Sequence, residues 1–95
     1  MLKIDRTAAF EIAKCKVDEY ARLDAAEYEI MLDHTIDWKY GWVFFYNASN
    51  FLRTGNYIYA LGGNAPLLVL FDGRLSELST AIPVQRALSE LSIPD

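Results

Sequence analysis

The feature that most constrains the fold of this chain is an uncharged run with large side chains, Tyr40-Gly41-Trp42-Val43-Phe44-Phe45-Tyr46. Bulky residues occupy both alternating positions of the run, so an extended chain here presents apolar groups on both faces. Such a strand needs cover on both faces, and the run therefore predicts a central strand of a sheet. It is also far too short to cross a membrane.

Three further segments have strand character. Residues 67–71 are continuously apolar after Pro66, which begins a strand without losing a ladder hydrogen bond. Asp72-Gly73 follows, a dipeptide typical of tight hairpins. We therefore expect a hairpin of strands Leu67–Phe71 and Arg74–Leu78. Earlier in the chain, residues 28–33 place Tyr28, Ile30 and Leu32 on one face of an extended segment and two acids, Glu29 and Asp33, on the other, which predicts a half-exposed strand.

Helical patterns lie at the two ends of the chain. Asp5 suits the N-cap of a helix from Arg6 to Arg22, along which apolar residues recur at helical spacing. Near the other end, Pro83 suits a first helical position and predicts a helix from Pro83 to Leu91. Residues 34–39 are expected to be a connection between strands.

The middle of the chain is less regular. A short helical turn is expected over Phe51–Arg53, capped by a polar side chain of residues 47–50 and ended by Thr54-Gly55. Residues 56–61 fit either an extended segment or a helical turn, and the glycines at 62 and 63 require a loop.

This order of elements predicts an α+β fold. We expect a mainly antiparallel four-stranded sheet with an N-terminal and a C-terminal helix packed on one face. The 95 residues, 53% of them apolar, fit a single domain spanning residues 1–95. Charges in residues 1–6 do not fit a secretory signal, and the single Cys15 cannot form an internal disulfide. A cytoplasmic protein that does not span a membrane is expected.

Acidic residues concentrate between residues 18 and 37. Seven acids stand there against Arg22 alone, a net charge of −6: Asp18, Glu19, Asp24, Glu27, Glu29, Asp33 and Asp37. The remaining segments sum to +2 before this stretch and to zero after it, so the stretch accounts for the negative charge of the chain. Nucleic acid is therefore not expected as a partner, whereas a basic protein is compatible.

Few residues suggest catalysis. Cys15 lies beside the apolar stripe of the first predicted helix, where packing is its expected role, and His34 is expected to be a solvated loop residue. Glu29, Asp33 and Asp37 lack the spacing of a calcium loop. One Cys and one His cannot complete a structural zinc site. We expect no enzyme, cofactor or metal ion; a Cys15–His34 pair or these three carboxylates are the enzyme alternative.

Aromatic residues next to the acidic stretch are candidates for a protein contact. Trp42 alternates with Phe44 and is expected in the core, whereas Trp38 and Tyr40 suit a core position or an exposed contact equally well.

The segments also resemble a known family. Four blocks carry the likeness: Gly41–Tyr46, Phe51–Gly55, Leu61–Val69 and Asp72-Gly73 ahead of Pro83. Their order and spacing over residues 28–91 resemble the immunity protein 35 family, which includes small YrhB-like proteins. The most specific piece is Gly63-Asn64-Ala65-Pro66 before an apolar strand. Ser79–Ile82 departs from the family pattern and leaves the end of the hairpin open.

The resemblance implies a protein that binds and neutralises a bacterial toxin without catalysis. Six matching residues are expected to determine the fold: Trp42, Thr54, Gly55, Gly63, Asn64 and Pro66. We expect the toxin to contact the acidic surface and its aromatic neighbours, namely Glu27, Glu29, Asp33, Asp37, Trp38 and Tyr40. The partner would be a cognate toxin or secreted effector, and a homodimer through an exposed strand edge is also allowed.

A second hypothesis comes from a different class of protein. YrhB-like relatives suggest a heat-stable, chaperone-like holdase that binds unfolded clients. That role requires an exposed apolar surface, and Tyr57–Leu61 is the only segment left unassigned.

Overall fold

The computed structural model describes residues 3–91; Met1, Leu2 and residues 92–95 lie outside the described part. The chain contains helices together with antiparallel sheets, which confirms the α+β class. The elements are α1 (Arg6–Asp24), β1 (Tyr28–Ile30), β2 (Ile36–Trp38), β3 (Gly41–Phe44), β4 (Tyr46–Ala48), α2 (Ser49–Thr54), β5 (Leu67–Leu70), β6 (Leu75–Glu77) and α3 (Val84–Ser89). Two 3₁₀ turns lie at Leu32–His34 and Tyr57–Tyr59.

The predicted four-stranded antiparallel sheet is present, in the order β2-β3-β5-β6. Its membership differs from the prediction, because β2 lies in the segment 34–39 that was expected to be a connection. Trp38 pairs with Gly41 across a two-residue turn. This pairing lets Ile36 and Trp38 pack against the buried cluster that contains Val43 and Leu68. The predicted first strand, β1, instead pairs with β4 in a separate two-stranded sheet.

The predicted strand from 40 to 46 is divided between these two sheets. β3 ends at Phe44, and all four of its residues are buried between β2 and β5, so the predicted central position is confirmed. The chain then turns at Phe45, whose carbonyl accepts a hydrogen bond from the Met31 amide at 2.8 Å. β4 therefore begins at Tyr46 and belongs to the ribbon with β1.

Helices α1 and α3 cover opposite faces of the four-stranded sheet, so the prediction that both pack on one face is wrong. Trp42 and Phe44 share a buried cluster with the α1 stripe of Ala9, Ala13 and Val17. The intervening Val43 belongs to a second cluster, with Leu68, Leu78, Ala87 and Leu88. Successive residues of a strand point to opposite faces, and because β3 and β5 are apolar at every position, each face requires its own helix.

Local signals fixed several element ends. Asp5 caps α1 as predicted, since its Oδ1 accepts from the Ala8 amide at 2.8 Å. The predicted polar cap of α2 is wrong: Ala48 holds the N-cap position without a side-chain bond. Asn47 Oδ1 instead accepts hydrogen bonds from the amides of Ala48 and Leu61, both at 2.8 Å. The second bond links the loop at Leu61 to β4.

The hairpin at Asp72-Gly73 is confirmed. Gly73 has a φ of 90°, a conformation that favours glycine, and the Leu70 amide donates to the Arg74 carbonyl at 2.9 Å. Pairing continues to a bond from the Leu78 amide to the Pro66 carbonyl at 2.9 Å, so Ser79–Ile82 leaves the hairpin regular and forms the connection to α3.

The six residues expected to determine the fold lie at loop bends, element ends and in the core. Trp42 is buried edge-on against Phe71 at 5.2 Å between ring centroids. Gly55 and Gly63 have φ values of 70° and 74°. Thr54 Oγ1 donates to the Asn50 carbonyl at 2.7 Å within α2. Pro66 is buried at the start of β5.

Asn64 provides a direct test of this expectation. Its Nδ2 donates to the Tyr46 carbonyl at 2.8 Å across eighteen residues of chain. Asn64→Ala removes that donor and leaves a partly buried carbonyl without its partner, so the free energy of unfolding should fall by about 1–2 kcal/mol. Asn50→Ala is the matched control, because the Asn50 side chain bonds only the exposed Arg53 of its own helix, and it should cost less than about 0.5 kcal/mol. Urea denaturation measures both; equal losses would contradict the role of Asn64.

Candidate protein-binding surface

Two acidic residues of α1, Asp18 and Glu19, form ion pairs with lysines of the same helix. Lys14 Nζ lies 2.9 Å from Asp18 Oδ2, and Lys16 Nζ lies 3.3 Å from Glu19 Oε1. These pairs stand four and three residues apart, where helical side chains are neighbours. The acidic part of α1 therefore contributes little net charge to the surface.

Two more acids of the stretch, Asp24 and Asp37, each contact the side chain of a residue in another element. The Tyr28 hydroxyl donates to Asp24 Oδ2 at 2.7 Å. Asp37 Oδ1 lies 3.8 Å from the Arg6 guanidinium, an exposed and therefore weak ion pair.

Three acids have neither an ion pair nor a side-chain hydrogen bond among the described residues: Glu27, Glu29 and Asp33, here called the β1 acids. All three are exposed, and none forms an ion pair with a cation of residues 3–91. Glu27 immediately precedes β1, Glu29 is its middle residue, and Asp33 lies in the 3₁₀ turn just after it. These three acids lie within or close to one short strand, whereas the acidic stretch of the sequence covers twenty residues.

The six residues predicted to bind a toxin do not share one cavity. Glu29 lines a groove of about 340 Å³ between α1 and β1. Glu27 and Asp33 line separate depressions of about 380 and 220 Å³ on either side of it. Asp37 reaches toward Arg6 of α1, while Trp38 and Tyr40 lie beside α3. The structure therefore groups the β1 acids on one strand and separates them from the two aromatic residues.

Trp38 and Tyr40 form a second feature at the turn between β2 and β3. Their rings meet edge to face with centroids 5.2 Å apart, and the Lys39 ammonium lies 5.1 Å from the Tyr40 ring centroid. Both are half-buried, and they line a groove of about 430 Å³ with Leu88 and Leu91. Trp42, by contrast, is in the core as expected.

An exposed apolar segment adjoins the β1 acids. Tyr57 and Ile58 are 83% and 79% exposed, which is unusual for side chains of this size, and Tyr59 is 48% exposed. Tyr59 lines the same depression as Glu27, and Leu52 lines the same depression as Asp33. In the sequence, residues 56–61 fit either an extended segment or a helical turn. Their aromatic side chains, without strand or helix periodicity, were the only sequence signal for an exposed apolar surface.

The residues considered for catalysis are exposed and lie on different elements. Cys15 is an exposed free thiol on α1, so the expectation that it packs into the core is wrong. His34 is exposed in the first 3₁₀ turn. Within residues 3–91, no group of three or more His, Cys, Asp or Glu side chains is arranged to hold a metal ion. The described helices include none that is long and apolar enough to cross a membrane.

The raised pKa values of Tyr20 in α1 and Tyr28 in β1 predict that stability depends on pH. The hydrogen bond to Asp24 and partial burial raise the pKa of Tyr28 from 10.0 to about 12. Burial and the hydrogen bond to Glu77 raise the pKa of Tyr20 to about 12. A pKa raised by folding means that the neutral phenol stabilises the fold, a contribution complete below about pH 10 and lost as the pH rises through about 12.

We therefore expect the melting temperature to fall between about pH 10 and about pH 12. The double variant Tyr20→Phe and Tyr28→Phe cannot ionise at these sites, so its melting temperature should fall less over the same interval. Thermal unfolding followed by circular dichroism gives both curves. Parallel curves for the two proteins would show that these hydroxyls do not contribute.

Comparison with known proteins shows which family this chain resembles. The family described as Immunity protein 35 matches residues 7–90. The uncharacterized protein YrhB of Escherichia coli (strain K12) is 33% identical over 82 residues, which cover 85% of each chain. No solved structure matches the chain.

Proposed function

We propose that this chain, which belongs to the immunity protein 35 family, binds a cognate toxin or secreted effector as a single domain and blocks it without catalysis. It would act in the cytoplasm of the cell that makes it. The observation that carries the proposal is the family match over residues 7–90, which includes the acidic strand and the exposed apolar segment described above.

The β1 acids are the proposed centre of the toxin contact. Uncompensated exposed carboxylates attract a basic partner, raise its association rate and exclude acidic partners. If the toxin cleaves or binds a polyanion, these carboxylates occupy the positions of its phosphates. Leu52 and Tyr59 lie directly beside them and offer apolar contact area within a polar rim.

Asp37, Trp38 and Tyr40 are proposed as a secondary contact. The groove that the two aromatic rings line is open, and half-buried Trp and Tyr side chains are common anchors in protein interfaces. Because this groove lies apart from the β1 acids, a toxin that contacts both must cover the surface between them.

The test uses the purified product of the gene adjacent to the gene for this chain, as the candidate toxin. Mixing the two should give a one-to-one complex by size-exclusion chromatography with light scattering, and the toxin's activity should fall in proportion to the complex formed. A toxin that stays active within the complex, or that forms no complex, would contradict the immunity role.

A second candidate function rests on the exposure of Tyr57 and Ile58. Solvated apolar side chains of this kind can bind unfolded chains. A holdase would suppress the heat-induced aggregation of two unrelated client proteins, and Tyr57→Ser with Ile58→Ser would abolish that suppression. Full suppression by the double variant, or none by the native chain, would exclude this candidate.

A further inference from the structure

One edge of β1 carries unpaired backbone groups. The Met31 amide donates to the Phe45 carbonyl at 2.8 Å, and the Ser49 amide donates to the Glu27 carbonyl at 2.9 Å. In an antiparallel pair, alternate residues bond to the partner and the others face away from it. The N–H and C=O groups of Tyr28 and Ile30 therefore point away from β4, and no bond from another described residue reaches them.

On the opposite edge of this two-stranded sheet, side chains bond backbone groups of β4. On β4 the Tyr46 carbonyl accepts from Asn64 Nδ2, and the Ala48 amide donates to Asn47 Oδ1, both at 2.8 Å. Side chains thus satisfy two outward backbone groups of β4, whereas those of Tyr28 and Ile30 on β1 have no partner among the described residues.

A groove follows this open edge. Glu29 and Ile30 both line it, although successive strand residues point to opposite faces, so the groove runs along the edge of β1 rather than over one face. Its other wall is α1, with Phe10 and Val17 as apolar lining. Its volume is about 340 Å³.

The net charge along the groove is negative. Lys14 and Asp18 both line the α1 wall, but they neutralise each other at 2.9 Å. Glu29 is left as the uncompensated charge in the groove, with Glu27 and Asp33 just beyond the two ends of β1. An extended segment in this groove meets carboxylates on the face of the strand that carries Glu29 and apolar side chains on the face toward α1.

We propose that the β1 edge receives an extended segment of the toxin as a third strand of the β1–β4 ribbon. The segment alternates apolar side chains, directed toward Phe10 and Ile30, with Lys or Arg side chains directed toward Glu29. Backbone bonds to Tyr28 and Ile30 supply affinity, and the alternation supplies specificity. A third strand also stabilises a ribbon of only three residue pairs. This inference rests on the proposed function and adds the mode of binding to it.

The test begins with a synthetic probe and the whole chain. An acetylated, amidated heptapeptide of alternating lysine and valine is titrated into the ¹⁵N-labelled protein and followed by NMR. The amides of Tyr28 and Ile30 should shift most, and their hydrogen exchange should slow by about tenfold at saturation. The same peptide with glutamate for lysine should leave them unchanged. Shifts confined to other residues, or none at millimolar lysine peptide, would overturn the proposal.

Two variants isolate the backbone contribution. Ile30→Pro removes the outward N–H without breaking a bond to β4, and Ile30→Ala is its matched control, since both lose the same side chain. The lysine peptide should bind the proline variant about fivefold more weakly than the alanine variant. Equal affinities would overturn strand addition.

Amide exchange in the toxin complex separates this inference from the proposed function. Inhibited toxin together with slowed exchange at Tyr28 and Ile30 supports both. Inhibited toxin with unchanged exchange at these two amides overturns strand addition alone and leaves the immunity role standing. Failure of inhibition overturns the proposed function, whatever the peptide shows.

Discussion

Replacing Gly41 by alanine is expected to lower the free energy of unfolding by about 3 kcal/mol or more. A Cβ at this position would overlap the Val69 carbonyl oxygen and come within 2.9 Å of Leu70 Cα. Both are backbone atoms of β5, so no side chain can rotate to make room. β3 and β5 would have to separate at the centre of the sheet, where each core cluster draws on both strands.

Gly62→Ala is the matched control for this substitution. A Cβ at Gly62 meets no atom within 4 Å, and the residue does not have a positive φ. The control should therefore be neutral or slightly stabilising, because alanine restricts the unfolded chain. Urea midpoints of the two variants and the native chain give the comparison. A Gly41→Ala protein as stable as the Gly62→Ala protein would contradict the close approach of β3 and β5.

Neutralising the β1 acids is expected to slow association with the toxin by about tenfold at low ionic strength. The variant carries Glu27→Gln, Glu29→Gln and Asp33→Asn. These carboxylates have no compensating cation among residues 3–91, so their charge acts directly on an approaching partner. Salt screens that attraction, and the rates of variant and native chain should converge at about 0.5 M salt.

A control with the same change in net charge separates local steering from bulk charge. Glu11→Gln, Glu77→Gln and Glu90→Gln remove three carboxylates that lie outside β1 and its flanking turns. Stopped-flow association over a series of salt concentrations should show a much smaller loss for this control. Equal losses in the two triple variants, or no salt dependence at all, would contradict a contact centred on β1.

Much of the fold could be predicted because its signals are local. The cap at Asp5 and the turn at Asp72-Gly73 each involve residues within a few positions of one another. Strand β2 was missed because Ile36–Trp38 is short and its turn, Lys39-Tyr40, contains no glycine or asparagine. Its burial depends on α3, which lies some fifty residues later in the chain.

The break between β3 and β4 could not be predicted from the aromatic run. Large apolar residues stand at every position after Gly41, so the pattern does not mark where the strand leaves one sheet for the other. The placement of α1 and α3 on opposite faces could have been predicted from the sequence. β3 and β5 are apolar on both faces, and one layer of helices covers only one face of a sheet.

The candidate site was predicted in composition but not in position. Spacing alone could have shown that Asp18 and Glu19 are paired with Lys14 and Lys16, because all four lie on one helix. The contact between Asp37 and Arg6 depends on the folded chain and could not be seen. Exposure of Tyr57 likewise follows from the way α2 and its 3₁₀ turn sit outside both core clusters.

The most direct test of a toxin contact through the β1 acids is growth of cells that express the product of the adjacent gene, as the candidate toxin, together with this chain. The native chain and the control triple variant should restore growth, whereas the variant lacking the three β1 carboxylates should restore it only when expressed in large excess. Circular dichroism of the purified variants establishes that they fold. Full protection at equal expression by the variant without β1 carboxylates would contradict a contact centred on β1, and no protection by the native chain would contradict the immunity role itself.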